Sequence, residues 1–142
     1  MVPIIVVSIL FFDQLTKFLA TRLLPLNAPV SLIGNFFSLT LVHNRGAAFG
    51  ILKNQLAFFI LVTLAAIVMI ALSLKGKEKC RLYKIGLAFM LAGAIGNLVD
   101  RVFFGYVIDF LDFRVWPVFN VADSFVTIGA VLFGWVTLFN KK

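Results

Sequence analysis

The sequence predicts an all-α integral membrane protein, four transmembrane helices with a small extracytoplasmic β platform in the first outer loop. Two observations carry this. Hydrophobic residues make up 62% of the 142-residue chain and charged residues 13%, about half the usual charged share and too little polar surface for a soluble domain. Four windows, roughly 2–24, 55–74, 83–100 and 121–140, also come close to the ~20 apolar residues that a helix needs to cross a hydrocarbon core about 30 Å thick. Four spans with short connections leave no room for a second domain, so residues 1–142 are read as one integral membrane unit.

The first window is read as a retained helix and not a cleaved leader. "MVP" carries no basic side chain, and "FFDQLTKFLATRLL" runs on without a small-residue cleavage site. Orientation follows from the basic residues. Lys75, Lys77, Lys79, Arg81 and Lys84 crowd the segment between the second and third windows, and Lys141 and Lys142 end the sequence. By the positive-inside rule that segment and both termini face the cytoplasm, with residues 25–54 and 101–120 outside. The net charge of +7 is thus a topology signal and gives no reason to expect nucleic acid. Cys80, the single cysteine, falls on the reducing side and forms no internal disulfide.

The first outer loop is too long and apolar for a plain connection. Its "FFSLTLVHN" suggests short strands at the membrane surface. In the third window Ala88, Ala92 and Gly96 form a small-residue ridge against which another helix can pack closely.

Acidic residues are few and oddly placed. Of six, only Glu78 lies in the cytoplasmic loop; Asp13 is in the first span, and Asp100, Asp109, Asp112 and Asp123 surround the second outer segment. A central Asp costs roughly 2.5–3.5 kcal/mol on insertion, whereas a Leu or Phe returns about 0.3–0.6. Acids at such a cost usually face a cavity and act there. Asp112 is read as a solvated loop acid, while Asp100, at the expected outer end of span three, and Asp123, at the start of span four, belong to apolar helices. Asn97 stands three residues before Asp100 and Asn120 three before Asp123, so each helix sets an amide and a carboxylate on one face. Asn120 is also a good N-cap residue.

The chemistry open to these residues is narrow. No spacing of zinc type exists, and one His, His43, with Ser38 or Ser124 does not make a nucleophile elbow. His43 is therefore read as structural. Two carboxylates sharing a site remain: one activates water and the other holds the proton. Residue reasoning favours Asp100 slightly as a member of that pair, with Asp109 as competitor. Arg101 beside Asp100 would hold it ionised and spoil it as a proton-sharing partner.

The stretches "DQLTK" (13–17), "HNRGAAFG" (43–50), "GAIGNLVDR" (93–101), "GYVIDF" (105–110) and "FNVADS" (119–124) occur in that order. Together they resemble the bacterial lipoprotein signal peptidases, signal peptidase II, over essentially the whole chain. That resemblance implies an intramembrane aspartic endopeptidase of the bacterial cytoplasmic membrane, active near its outer face. It would cut prolipoproteins on the amino side of a diacylglyceryl-modified Cys, without cofactor or metal, as a monomer, and be inhibited by globomycin. It assigns the catalytic pair to Asp109 and Asp123, choosing Asp109 over Asp100. Asn44, Asn97, Arg101 and Asn120 would line the site and contact substrate, with Asp13, Lys17, Gly46 and Asp100 as structural support. Phe36 and Phe37 would cover the substrate from the aqueous side, and Gly46 and Gly50 would let that loop flex. The competing class is a non-enzymatic four-helix protein whose Asp ring binds cations.

Overall fold

The structure, a computed structural model, describes residues 1–46, 54–76 and 80–139. Its elements in order are α1 (Val2–Leu23), β1 (Pro29–Ile33), β2 (Phe37–Asn44), α2 (Leu56–Leu74), α3 (Arg81–Phe104), β3 (Val107–Asp112) and α4 (Val121–Phe139). All four helices are long and apolar enough to cross a membrane. They expose large apolar side chains such as Phe11, Phe58, Leu61, Met69, Val131 and Leu138, and α2 buries Ile70 alone. Outward-facing hydrophobes suit lipid as the solvent.

The helices begin and end close to the expected windows, with one difference that matters. Helix α3 does not stop at Asp100 but continues another turn to Phe104, where Gly105 closes it in the left-handed conformation (φ 76°). A left-handed residue after the last turn satisfies a terminal carbonyl, and here the Gly105 amide donates to Arg101 at 3.1 Å. Asp100 therefore lies one turn inside the helix and not at its end.

The β platform has three strands, not only the pieces of the first outer loop. Their order is β1-β2-β3, antiparallel throughout. Strand β3 comes from "VIDFLD" in the second outer segment, expected to be a plain connection. Four of its first five residues are buried, so it lacks the alternation that marks a half-exposed strand. Its Ile108 and Phe110 pack with Leu41 and Ala20, seating the sheet on the last turns of α1. Asp112 corrects another expectation. It is 7% exposed and accepts a 2.7 Å bond from Thr40 Oγ1 and a 2.8 Å bond from the Arg114 amide.

Helices α3 and α4 meet most closely, through glycines outside the expected ridge. A Cβ on Gly93 would strike the Ala122 carbonyl and Val126, and one on Gly129 would come 2.6 Å from the Gly86 carbonyl. Ala88 and Ala92 are fully buried, but Gly96 serves α1, since a Cβ there would lie 2.6 Å from Asp13 Oδ2.

Candidate active site

Backbone geometry brings the first carboxylate into place. In the pairing of β2 with β3, Leu39 opposes Leu111 but Val42 opposes Asp109, so β2 carries one extra residue between them. Directly opposed residues share a face, and a bulge shifts which ones do. Without it the residue opposite Val107, on Asp109's face, would be His43. With it the residue is Asn44, whose Nδ2 donates to Asp109 Oδ2 at 2.9 Å. His43 is turned away and stacks on Tyr106 with ring centroids 4.1 Å apart. Partial burial, followed by the charge of Arg45, lowers its imidazole pKa. Asp112, three residues from Asp109, points to the opposite face of the strand.

The second carboxylate is fixed by the start of α4. Asp123 N–H donates to Asn120 Oδ1 at 2.9 Å, and Asn120 N–H donates to Asp123 Oδ2 at 3.3 Å. This is a reciprocal N-terminal capping arrangement with Asp in the usual Glu/Gln position. Capping leaves the Asn120 Nδ2 group free to donate elsewhere: to Asp109 Oδ1 at 2.7 Å, Asn97 Oδ1 at 3.0 Å and the Ile108 carbonyl at 3.3 Å. Asn97 in turn donates through Nδ2 to Asp123 Oδ1 at 2.7 Å. Every oxygen of both carboxylates thus accepts one bond, and two amides bridge the acids.

Both Asp side chains line one cleft of about 250 Å³ together with Asn44, Asn97 and Arg101. Arg101 donates to the Asn97 carbonyl at 3.4 Å, and its guanidinium carbon lies 5.2 Å from the centre of the Phe59 ring. Asp109 is 1% exposed. Burial, and next the charge of Asp123, push its carboxyl up to about 7, against the pull of the Asn44 and Asn120 amides. Gly46 also lines the cleft, and its amide donates to Asn44 Oδ1 at 2.9 Å, orienting the side chain that holds Asp109. Gly50 and residues 47–49 lie outside the described residues.

Behind the cleft lies a buried ionic cluster. Lys17 Nζ contacts Asp13 at 2.8 Å, Asp100 at 2.9 Å and Asn97 Oδ1 at 3.0 Å, so all three of its protons have acceptors. Asp13 Oδ1 accepts the Ala122 amide at 2.8 Å, and Asp100 Oδ2 accepts the Ile108 amide at 3.0 Å. Gln14, which lies within the motif "DQLTK" but has no spacing that marks it, donates to both Asp13 and Asp100. The cluster joins α1, α3, β3 and the start of α4. It also corrects the partner assigned to Asp100: the ion pair is with Lys17 on another helix, not with Arg101 next to it. Asn97 and Asp100 do share a helical face, and Lys17 bridges it.

Phe36 and Phe37 stand over Phe113, with ring centroids 5.7 and 4.8 Å away. Among the described residues no group of three or more His, Cys, Asp or Glu side chains is arranged to hold a metal ion.

The fold and this site define a multi-pass membrane protein whose buried polar chemistry is gathered where the sheet meets the ends of the helices. Residues 5–139 match the family described as "Signal peptidase (SPase) II". The chain is 46% identical over 140 residues to the lipoprotein signal peptidase of Caldanaerobacter subterraneus subsp. tengcongensis, covering 98% of this chain and 97% of that one. It is also 46% identical over 131 residues to the lipoprotein signal peptidase of Moorella thermoacetica, covering 92% and 87%. A solved structure titled "Bacterial membrane enzyme structure by the in meso method at 2.3 A resolution" superposes with a TM-score of 0.90 at 32% identity, covering 99% of this chain and 91% of that one. The chain belongs to the signal peptidase II family, and it is a membrane protease. That membership overturns the reading as a non-enzymatic cation-binding bundle.

Proposed function

We propose that this peptidase removes the signal peptide from diacylglyceryl-modified prolipoproteins, cutting on the amino side of the lipidated cysteine with Asp109, Asp123 and water. The observation that carries the reading is the pair of buried carboxylates on one cleft, held by three side-chain amides. One proton shared by the pair suits aspartic catalysis. One Asp takes a proton from water, which attacks the carbonyl before the cysteine; the other protonates the departing amine.

The supporting groups divide by reach. Asn97 and Asn120 hold the acids; Asn120 is fully buried behind the cleft, while Asn97 lines it and would steady a developing oxyanion, and Asn44 and Arg101 line it where the substrate backbone would lie. An apolar groove of about 450 Å³, lined by Phe113, Trp116, Phe119 and Ile128, shares Trp116, Phe119, Asp123 and Thr127 with the catalytic cleft and offers the substrate's apolar part a place beside it. The basic loop between α2 and α3 faces the cytoplasm with both termini, so the site lies near the outer face of the bacterial cytoplasmic membrane. Globomycin would compete for this cleft.

The test is cleavage of a diacylglyceryl-modified prolipoprotein by purified protein in detergent, read by mass. Asp109→Asn and Asp123→Asn each abolish the cut before the modified cysteine, while Asp100→Asn retains it in whatever fraction folds. Cutting that survives Asp109→Asn and disappears in well-folded Asp100→Asn would move the dyad.

A further inference from the structure

A second groove, of about 480 Å³, lies on the opposite side of the ionic cluster from the dyad, between the last turns of α1 and the end of α3. Its lining includes Gln14, Lys17, Phe18, Arg22, Phe104 and Tyr106. Its aromatic walls open outward, with Phe18 54% and Phe104 52% exposed among the side chains that face lipid. Tyr106 is clamped between His43 and Phe104, with ring centroids 4.1 and 6.1 Å away, so this wall is preformed.

Arg22 is the exposed charge of this groove. Among the described residues Arg22 makes no ion pair with an acid, whereas Lys17, also in the lining, is buried and held by Asp13 and Asp100. An arginine at a helix end commonly extends away from the apolar zone to reach water. Arg22 instead folds back one turn, its guanidinium carbon 5.3 Å from the centre of the Phe18 ring. The cation is thereby held over the apolar groove and not beyond it. A guanidinium is the best side chain for forked bonding to phosphate.

From this juxtaposition we propose that the groove between α1 and α3 is a binding site for an anionic phospholipid, its phosphate on Arg22 and its acyl chains along Phe18 and Phe104. The phosphate pairs with the exposed Arg22 guanidinium, and the aromatic walls receive the chains. The occupant is a resident lipid, distinct from any substrate in the cleft that Asp109 lines. Absence of such a lipid would leave the proposed cleavage by Asp109 and Asp123 untouched.

The probe is native mass spectrometry, with thermal unfolding, of the purified protein in mixed micelles containing either phosphatidylglycerol or phosphatidylcholine at equal mole fraction. Phosphatidylglycerol is expected to be retained and to raise the melting temperature more than phosphatidylcholine. Arg22→Gln should lower its retention about fivefold, the scale of one cation at a lipid headgroup, and Arg22→Lys should recover part of it. Arg81→Gln removes the same charge from the far end of α3 and should leave retention as it was. Equal retention of the two lipids, an unchanged Arg22→Gln protein, or an equal loss in Arg81→Gln would overturn the proposal. So would protection by inorganic phosphate alone equal to that of phosphatidylglycerol.

Discussion

Asn120 and Asp123 cap each other at the start of α4, with bonds of 2.9 and 3.3 Å, and the same Asn120 side chain holds Asp109 at 2.7 Å. One amide thus fixes the helix entry and the relative position of the two acids. The roles separate by substitution. Ser is as good an N-cap as Asn but has no amide to reach Asp109, so Asn120→Ser should cut about 10²-fold more slowly while melting near the parent. Asn120→Ala loses both roles and should cost about 1 kcal/mol more in stability. If Asn120→Ser cleaves at the parental rate in a fixed-time mass assay, Asn120 acts only as a cap.

Asp109 gives the protein a pH signature. Its carboxyl, near 3.8 in the unfolded chain, is pushed to about 7 in the fold by burial and then by Asp123. Between those values the folded protein keeps a proton that the unfolded chain has lost. The stability contributed by this group is therefore full below about 4 and lost as pH rises through about 7. Asp109→Asn cannot ionise and escapes that loss, so its melting temperature should rise relative to the parent between pH 5 and pH 8. Parental cleavage should fall over the upper part of the same range, as the shared proton leaves. A melting difference that stays flat from pH 5 to pH 8 would show that Asp109 titrates ordinarily.

Lys17 holds two carboxylates, so its removal and theirs are not equivalent. Lys17→Met strands Asp13 and Asp100 as buried, unpaired charges, which should cost about 3–5 kcal/mol. Asp100→Asn leaves a neutral Lys17–Asp13 pair and an amide oxygen that can still accept from Ile108, so it should cost less than half of that. Adding Asp100→Asn to Lys17→Met should recover part of the loss. Denaturant titration in a mild detergent gives the ranking, and a Lys17→Met protein as stable as Asp100→Asn would refute the charge argument.

The spans were legible because lipid imposes a simple rule of length and apolarity, and Val2–Leu23, Leu56–Leu74 and Val121–Phe139 follow it closely. The extra turn of α3 was harder to see, since Arg101 resembles a helix end until Gly105 is recognised as the left-handed stop. Strand β3 was hidden because both of its faces are covered, although Val107 and Ile108 following Gly105 offered a β-branched start. The amides Asn97 and Asn120 were visible from their spacing to Asp100 and Asp123. Their actual partners were not: Asn97 reaches across to Asp123, and only three-dimensional packing decides that. Gln14 shows the same limit, because its value comes from lying between Asp13 and Asp100, residues 87 positions apart by number (100 − 13).

The approach of α3 to α4 sets the distance over which Asn97 reaches Asp123, so the glycines at that contact should affect catalysis without lining the cleft themselves. A methyl on Gly93 would collide with the Ala122 carbonyl and the Val126 side chain, next to the capped start of α4. Backbone cannot yield as a flexible side chain can, so Gly93→Ala should force the helices apart at a cost of about 1–3 kcal/mol. The 2.7 Å bond from Asn97 to Asp123 would lengthen with them, and cleavage should fall with it. Gly134 is the control, because a methyl there meets nothing within 4 Å. Gly134→Ala should leave cleavage at the parental rate and, by favouring helix, hold or slightly raise the melting temperature. Melting curves and the mass assay on the two variants side by side decide the matter: a Gly93→Ala enzyme as stable and active as Gly134→Ala would mean that close helix contact does not position Asp123.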